Sequence, residues 1–188
     1  MEGALSGVEL TDARVAAAAR GDSDALGAVY TALAPVVLGY LRAHAVPDPE
    51  AVTNDVFVNL LPQLPRVTGG AEGVRRLAFT IAHARMVDGI RARARAGIPV
   101  AYECAVDDRV VASAEEDAYA AMALVRVQKI LAMLPQDQRE VLTLRVIADL
   151  SIEQVAVVIG RSPGAVKQLQ RRGLIALRRA LSEQRVTQ

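Results

Sequence analysis

A chain of 188 residues with 22 Lys and Arg against 21 Asp and Glu could form one domain or two small ones, and its net charge of +1 singles out no partner. One cysteine, Cys104, excludes a disulfide framework and a thiolate zinc site. No run approaches ~18 uninterrupted apolar residues, and the N-terminus lacks the basic, apolar and small-residue order of a secretory leader, so a cytoplasmic protein is expected.

With no Trp and 3% aromatics, the core must be built from Ala, Val, Leu and Ile. Ala and Leu favour helices, and no alternating apolar run is bounded by hairpin turns, so an all-α fold is expected. Thr11 or Asp12 starts the first predicted helix, which runs to about Arg20 and stops at Gly21. Ser23 or Asp24 opens a second through Leu26, Val29, Leu33, Val37 and Leu41, with a kink or break at Pro35, whose ring removes one backbone hydrogen bond. Asp48 and Pro49 read as a cap followed by proline at the first helical position, opening a third helix to about Leu61. Pro62, Pro65 and the Gly69-Gly70 pair predict a loop. A longer helix then runs from about Val74 to Arg95, and its apolar residues (Leu77, Phe79, Ile81, Ala82, Met86, Val87, Ile90) go most of the way round, as in a central helix.

After Gly97 and Pro99 the pattern dissolves into an acidic stretch to about Asp117. Helical periodicity resumes near Ala118, and Pro135 opens a helix carrying Val141, Leu142, Leu144, Val146 and Ile147. The charge is sorted along the chain. Residues 66–95 carry seven arginines against Glu72 and Asp88, whereas 100–120 carry Glu103, Asp107, Asp108, Glu115, Glu116 and Asp117 against Arg109 alone. From Arg161 onward only Glu183 is acidic. A basic–acidic–basic layout predicts two small helical domains, 1–96 and 118–188, that face nucleic acid and are joined by a flexible acidic linker over 97–117.

The most specific local signal follows. Ser151 caps a short helix, and Gln154 reaches back to complete a capping box. Gly160 supplies the left-handed residue that ends it. Ser162 caps a second helix whose first residue is Pro163. Two short helices around a tight turn form a helix-turn-helix, which seats its second helix in a DNA major groove. On that helix Val166, Leu169, Gly173, Leu174, Leu177, Ala180 and Leu181 share one side; Lys167, Gln168, Arg171, Arg172, Arg178 and Arg179 share the other, with Ile175 out of place. A solvated surface helix usually mixes Glu with its cations; this polar face is nearly all one sign.

These residues are similar to bacterial RNA polymerase sigma factors of the extracytoplasmic-function (ECF) group of the sigma-70 family, which keep regions 2 and 4. Residues 33–67 resemble region 2, with Ala51-Val52-Thr53-Asn54-Asp55-Val56-Phe57 in the place of the region 2.2 D-x-V-Q-E-T-F pattern. Residues 77–93 resemble the F-T-I-A-R-N-R-x-I-D-x-L-R signature, and 134–178 follow the region 4 pattern nearly position for position. The resemblance implies a sigma factor that binds core RNA polymerase, through the largest-subunit coiled-coil and the flap, and directs promoter-specific transcription initiation. Asp55, Phe57, Asn59, Leu60 and Gln63 match the polymerase-binding helix. Arg161, Ser162, Gly164, Lys167, Gln168 and Arg171 match the positions that read the −35 element. Residues 67–73 match the region 2.3 loop that captures a flipped −10 base. That loop has no aromatic, and a frequent Trp of the family is replaced near Arg76-Leu77, leaving Arg75, Arg76, His83 and Arg85 (with Arg91 and Arg93) as candidates to hold the −10 strand backbone. The linker matches the connector that threads the polymerase cleft.

The resemblance implies no cofactor and no metal, and no catalytic constellation surrounds His44 or His83. Family members are often held by an anti-sigma factor; these residues decide neither for nor against one. Two other readings fit the residues alone: a repressor or response-regulator output domain that binds DNA without polymerase, and a helical interaction protein whose basic faces only solvate it.

Overall fold

The computed structural model describes residues 9–96 and 130–186, with side chains as far as Ser182. The described elements are helices α1 (Asp12–Ala19), α2 (Ser23–Ala43), α3 (Pro49–Leu60), a 3₁₀ segment (Leu61–Arg66), α4 (Gly70–Arg95), α5 (Gln136–Val146), α6 (Ile152–Ile159) and α7 (Pro163–Val186), and no strand occurs among the described residues. The linker 97–117, Cys104 and the predicted helix from Ala118 lie outside the described residues, although 130–132 are helical.

Local chemistry sets most boundaries. The Thr11 hydroxyl accepts from the Arg14 N–H to cap α1, and Arg20 and Gly21 (φ 89°) close it. α2 is capped by Asp22, whose carboxylate accepts from the Ala25 N–H at 2.8 Å, rather than by Ser23 or Asp24. The break considered at Pro35 does not occur: α2 runs unbroken through it, with Val29, Leu33, Val37, Tyr40 and Leu41 fully buried around it. Tertiary burial here outweighs the one lost backbone bond. α2 is long and apolar enough to cross a bilayer by length and composition, but these residues pack against α1, α3 and α4. Asp48, in the left-handed region (φ 47°), caps α3 ahead of Pro49 as expected.

The segment expected to be a loop differs. Pro62 and Pro65 lie in a 3₁₀ helix that buries Leu64, and α4 begins at Gly70, four residues before Val74. A long-range contact makes the early start possible. The Asp12 carboxylate accepts from the Ala71 N–H at 2.8 Å, so α1 caps α4. Gly73 packs so closely on the turn before it that a Cβ would lie 2.0 Å from the Thr68 carbonyl oxygen. α4 is central, as its apolar circumference predicts: it packs against α1, α2, α3 and α6 and buries Val74, Ala78, Phe79, Ala82 and Met86.

The buried apolar residues of the N-terminal helices and of α5–α7 form one continuous cluster. Val141, Leu144, Ala148, Leu150, Val155, Val158 and Val166 join Leu33, Tyr40, Phe79 and Met86 in it. A smaller cluster sets Ala43 of α2 against Leu131, Leu134 and Leu142.

Candidate nucleic-acid interface

The helix-turn-helix is built as its caps dictate. Ser151 Oγ accepts from the Gln154 N–H at 3.1 Å while Gln154 Oε1 accepts from the Ser151 N–H at 2.7 Å, completing the capping box. Gly160 (φ 65°) ends α6 in the left-handed conformation. Ser162 Oγ accepts from the Ala165 N–H at 3.2 Å and starts α7 at Pro163. Pro163 carries no N–H and the Ala165 N–H is taken by Ser162 Oγ, but the helix start still carries a partial positive charge, which suits a phosphate.

α7 is held by the seam Val166, Gly173 and Ala180, with Leu169, Ala176 and Leu177 half-buried beside it. Gly173 makes this approach possible: a Cβ there would meet Leu142 Cδ1 at 2.9 Å. The apolar side is narrower than the sequence spacing implies. Leu174 and Leu181, placed on that side, are 43% and 41% exposed, because the seam follows the 166–173–180 line and both residues lie off it. Ile175 is exposed as well.

The opposite side carries the cations. Ser162, Gly164, Lys167, Gln168, Arg171, Arg172, Arg178 and Arg179 are all exposed, and Lys167, Gln168 and Arg171 line up over one turn. Arg161 is also exposed and pairs with Asp137 of α5 at 2.7 Å. Such an exposed pair is weak, so the guanidinium is available to a phosphate. The Glu153 carboxyl is held below its usual range, first by its own backbone N–H, then by the Ser151 hydroxyl and by Lys167. The fork of Arg and the paired amide of Gln are the donor sets that read base edges, and Lys supplies a point charge.

The N-terminal candidates divide by burial. Asp55 and Gln63 are exposed and Asn59 is half-buried on the outer face of α3 and the 3₁₀ turn. They form a ladder in which Asn59 Nδ2 donates to the Asp55 carbonyl and Gln63 Nε2 to the Asn59 carbonyl, each at 2.7 Å. Phe57 and Leu60 do not belong to that face. Leu60 is fully buried, and Phe57, 3% exposed, packs its ring 4.6 Å from Tyr30. Their positions on α3 point them at α2 and α4, a distinction that spacing alone leaves open. Val58, which the sequence did not single out, is 71% exposed beside Asp55 and Asn59.

Among the −10 candidates, Arg85 and Arg91 are exposed and Arg76 and Arg93 are partly so. Arg75 and His83 are instead engaged inside the molecule. Arg75 Nη1 donates to the Ala148 carbonyl at 3.4 Å, and His83 Nδ1 lies 2.6 Å from the Glu140 carboxylate of α5. In this conformation neither is turned toward an outside strand.

The Sigma-70, region 4 family matches residues 124–177, which include α5, α6 and most of α7. The ECF RNA polymerase sigma factor SigD of Mycobacterium tuberculosis (strain ATCC 25618 / H37Rv) is 33% identical over 179 residues, covering 90% of this chain and 83% of SigD. ShbA of Streptomyces griseus, also an ECF RNA polymerase sigma factor, is 33% identical over 177 residues, 89% of this chain and 92% of ShbA. Among solved structures, CnrH, in complex with the cytosolic domain of CnrY, superimposes with a TM-score of 0.65 at 22% identity, covering 93% of this chain and 99% of that one. That similarity speaks to fold, whereas the two sequence relatives match nearly end to end. The chain therefore belongs to the ECF group of RNA polymerase sigma factors.

Proposed function

We propose that this sigma factor divides its work between two surfaces. It binds core RNA polymerase and directs promoter-specific initiation, as membership of its family entails. α7 reads the −35 element with Lys167, Gln168 and Arg171 at base edges or backbone, while Arg161, Ser162 and the helix start hold a phosphate. The N-terminal helices (1–96) dock on polymerase through Asp55, Asn59 and Gln63, with Val58 supplying exposed apolar area. They meet the −10 strand through Arg76 and Arg85, joined by Arg75 and His83 once these are released. The segment 97–117 connects them to the C-terminal unit (118–188). The protein works in the cytoplasm beside the polymerase and supplies no bond-making chemistry itself. An anti-sigma factor is a further partner by analogy with CnrH, which was solved with the cytosolic domain of CnrY.

The observation that carries this reading is the exposed, single-sign face of α7 behind a fully formed helix-turn-helix. It is tested by comparing run-off transcription with affinity for core polymerase. Asp55→Ala and Gln63→Ala are expected to weaken binding to core, while Lys167→Ala and Arg171→Ala leave it intact. A loss of core affinity in the α7 variants would remove the recognition-helix assignment.

A further inference from the structure

α1 carries none of the residues assigned to polymerase or DNA, yet its first residue reaches the start of α4. The Asp12 carboxylate accepts from the Ala71 N–H at 2.8 Å, across fifty-nine positions of sequence. Among the described residues this is the one side-chain hydrogen bond to the backbone of residues 67–73. The first turn of α4 has little else to hold it. Its N-cap is Gly69, which has no side chain to cap with, and two of its first four residues, Gly70 and Gly73, are glycines. Glycine is among the poorest helix formers, and the sequence pattern by itself starts this helix near Val74. In the fold it starts at Gly70.

The packing ties Asp12 to this turn as well. Gly70 lies in the left-handed region (φ 55°), and a Cβ built on it would stand 2.1 Å from Asp12 Oδ1. Asp12 is itself held in place from behind. Thr11 caps α1, Val15 and Ala18 are buried, and α1 packs against α2, α4 and the 3₁₀ segment that leads into the loop.

We propose that Asp12 is a positioning residue for the −10 strand. By capping α4 from another helix it keeps residues 70–73 helical, confines the free loop to Val67, Thr68 and Gly69, and fixes the turn ahead of Arg76. The inference rests on the −10 reading above and adds to it the residue that sets the shape of the loop. Without the cap the glycine-rich turn frays and the loop lengthens from 67–69 to 67–73. Ordering that longer segment around a base then costs conformational entropy that the capped loop has already given up, and glycine loses the most.

The test uses holoenzyme assembled from core polymerase and this protein. A fluorescent single-stranded oligonucleotide carries the non-template −10 sequence mapped for this protein, and a scrambled strand of the same composition serves as control. Fluorescence anisotropy gives the affinity for each. Asp12→Ala is expected to weaken binding of the −10 strand about fivefold, the usual effect of losing one helix cap, and to leave the scrambled strand and core affinity unchanged. Asp12→Asn keeps an acceptor oxygen and is expected to restore most of the preference. Hydrogen exchange at the Ala71 amide is expected to quicken in Asp12→Ala alone. An unchanged strand preference in Asp12→Ala would overturn the proposal. So would an equal loss of core affinity, which a merely structural role predicts, or Asp12→Asn behaving as Asp12→Ala. If the unaltered protein holds both strands equally, the −10 reading itself falls, and the positioning role with it.

Discussion

His44 should make the stability of this protein fall as the medium turns mildly acidic. Its imidazole is held neutral, its pKa lowered from 6.5 to about 3, first by burial and then by the charges of Arg139 and His83. Tyr40 and Glu140 also face this pocket: the Tyr40 ring lies tilted against that of His44 with centroids 4.7 Å apart, and burial together with Glu140 raises the Tyr40 hydroxyl well above its usual range. The sign follows from linkage. A histidine whose folded pKa is depressed contributes fully above pH 6.5, where it is neutral in both states, and loses that contribution as pH falls toward 3, because only the unfolded chain takes up the proton. Between pH 7 and 5.5 the loss comes to about 1.3 kcal/mol. Urea unfolding at the two pH values reads it directly, with His44→Gln as the comparison. The variant should be less stable at pH 7, since the buried 3.0 Å contact between His44 Nε2 and Thr143 Oγ1 is lost, yet flatter with pH by about that amount. Parallel pH dependences in the two proteins would refute the account of His44 as buried and neutral.

Gly73→Ala should destabilise the N-terminal helices by about 2–4 kcal/mol, since its Cβ would meet backbone that cannot move aside, and thermal unfolding measures it. Ser151→Ala removes half of the capping box and should cost about 1 kcal/mol in the same assay. Lys167→Ala and Arg171→Ala should each lower −35-dependent transcription about tenfold, corresponding to 1–3 kcal/mol per contact. Leu60→Ala should cost about 2–5 kcal/mol of stability, unlike Asp55→Ala, and urea titration of the two separates core from surface on α3.

The helix-turn-helix was legible in the sequence because every device that builds it is local. Ser151, Gln154, Gly160, Ser162 and Pro163 act within four residues of themselves, and the structure shows each of them in place. The same holds for Asp48 and Pro49. What stayed hidden depends on partners remote in sequence. α4 starts early because Asp12, fifty-nine positions away, caps it. α2 passes Pro35 because the helices around it bury that stretch. Which of Asp55, Phe57, Asn59 and Leu60 face outward depends on how α3 rolls against α2 and α4, and helix spacing leaves that rotation open. The engagement of Arg75 and His83 by α5 and the turn after it is the extreme case. As a pattern they are two basic residues on a basic helix; in the fold each has an intramolecular partner.

The most direct measurement is the mapping of 5′ ends of transcripts made by core RNA polymerase with and without this protein on genomic DNA. New start sites that share one −35 and one −10 element, and that disappear with Lys167→Ala/Arg171→Ala, are the predicted result. Start sites identical with and without the protein, or new ones sharing no upstream element, would contradict it.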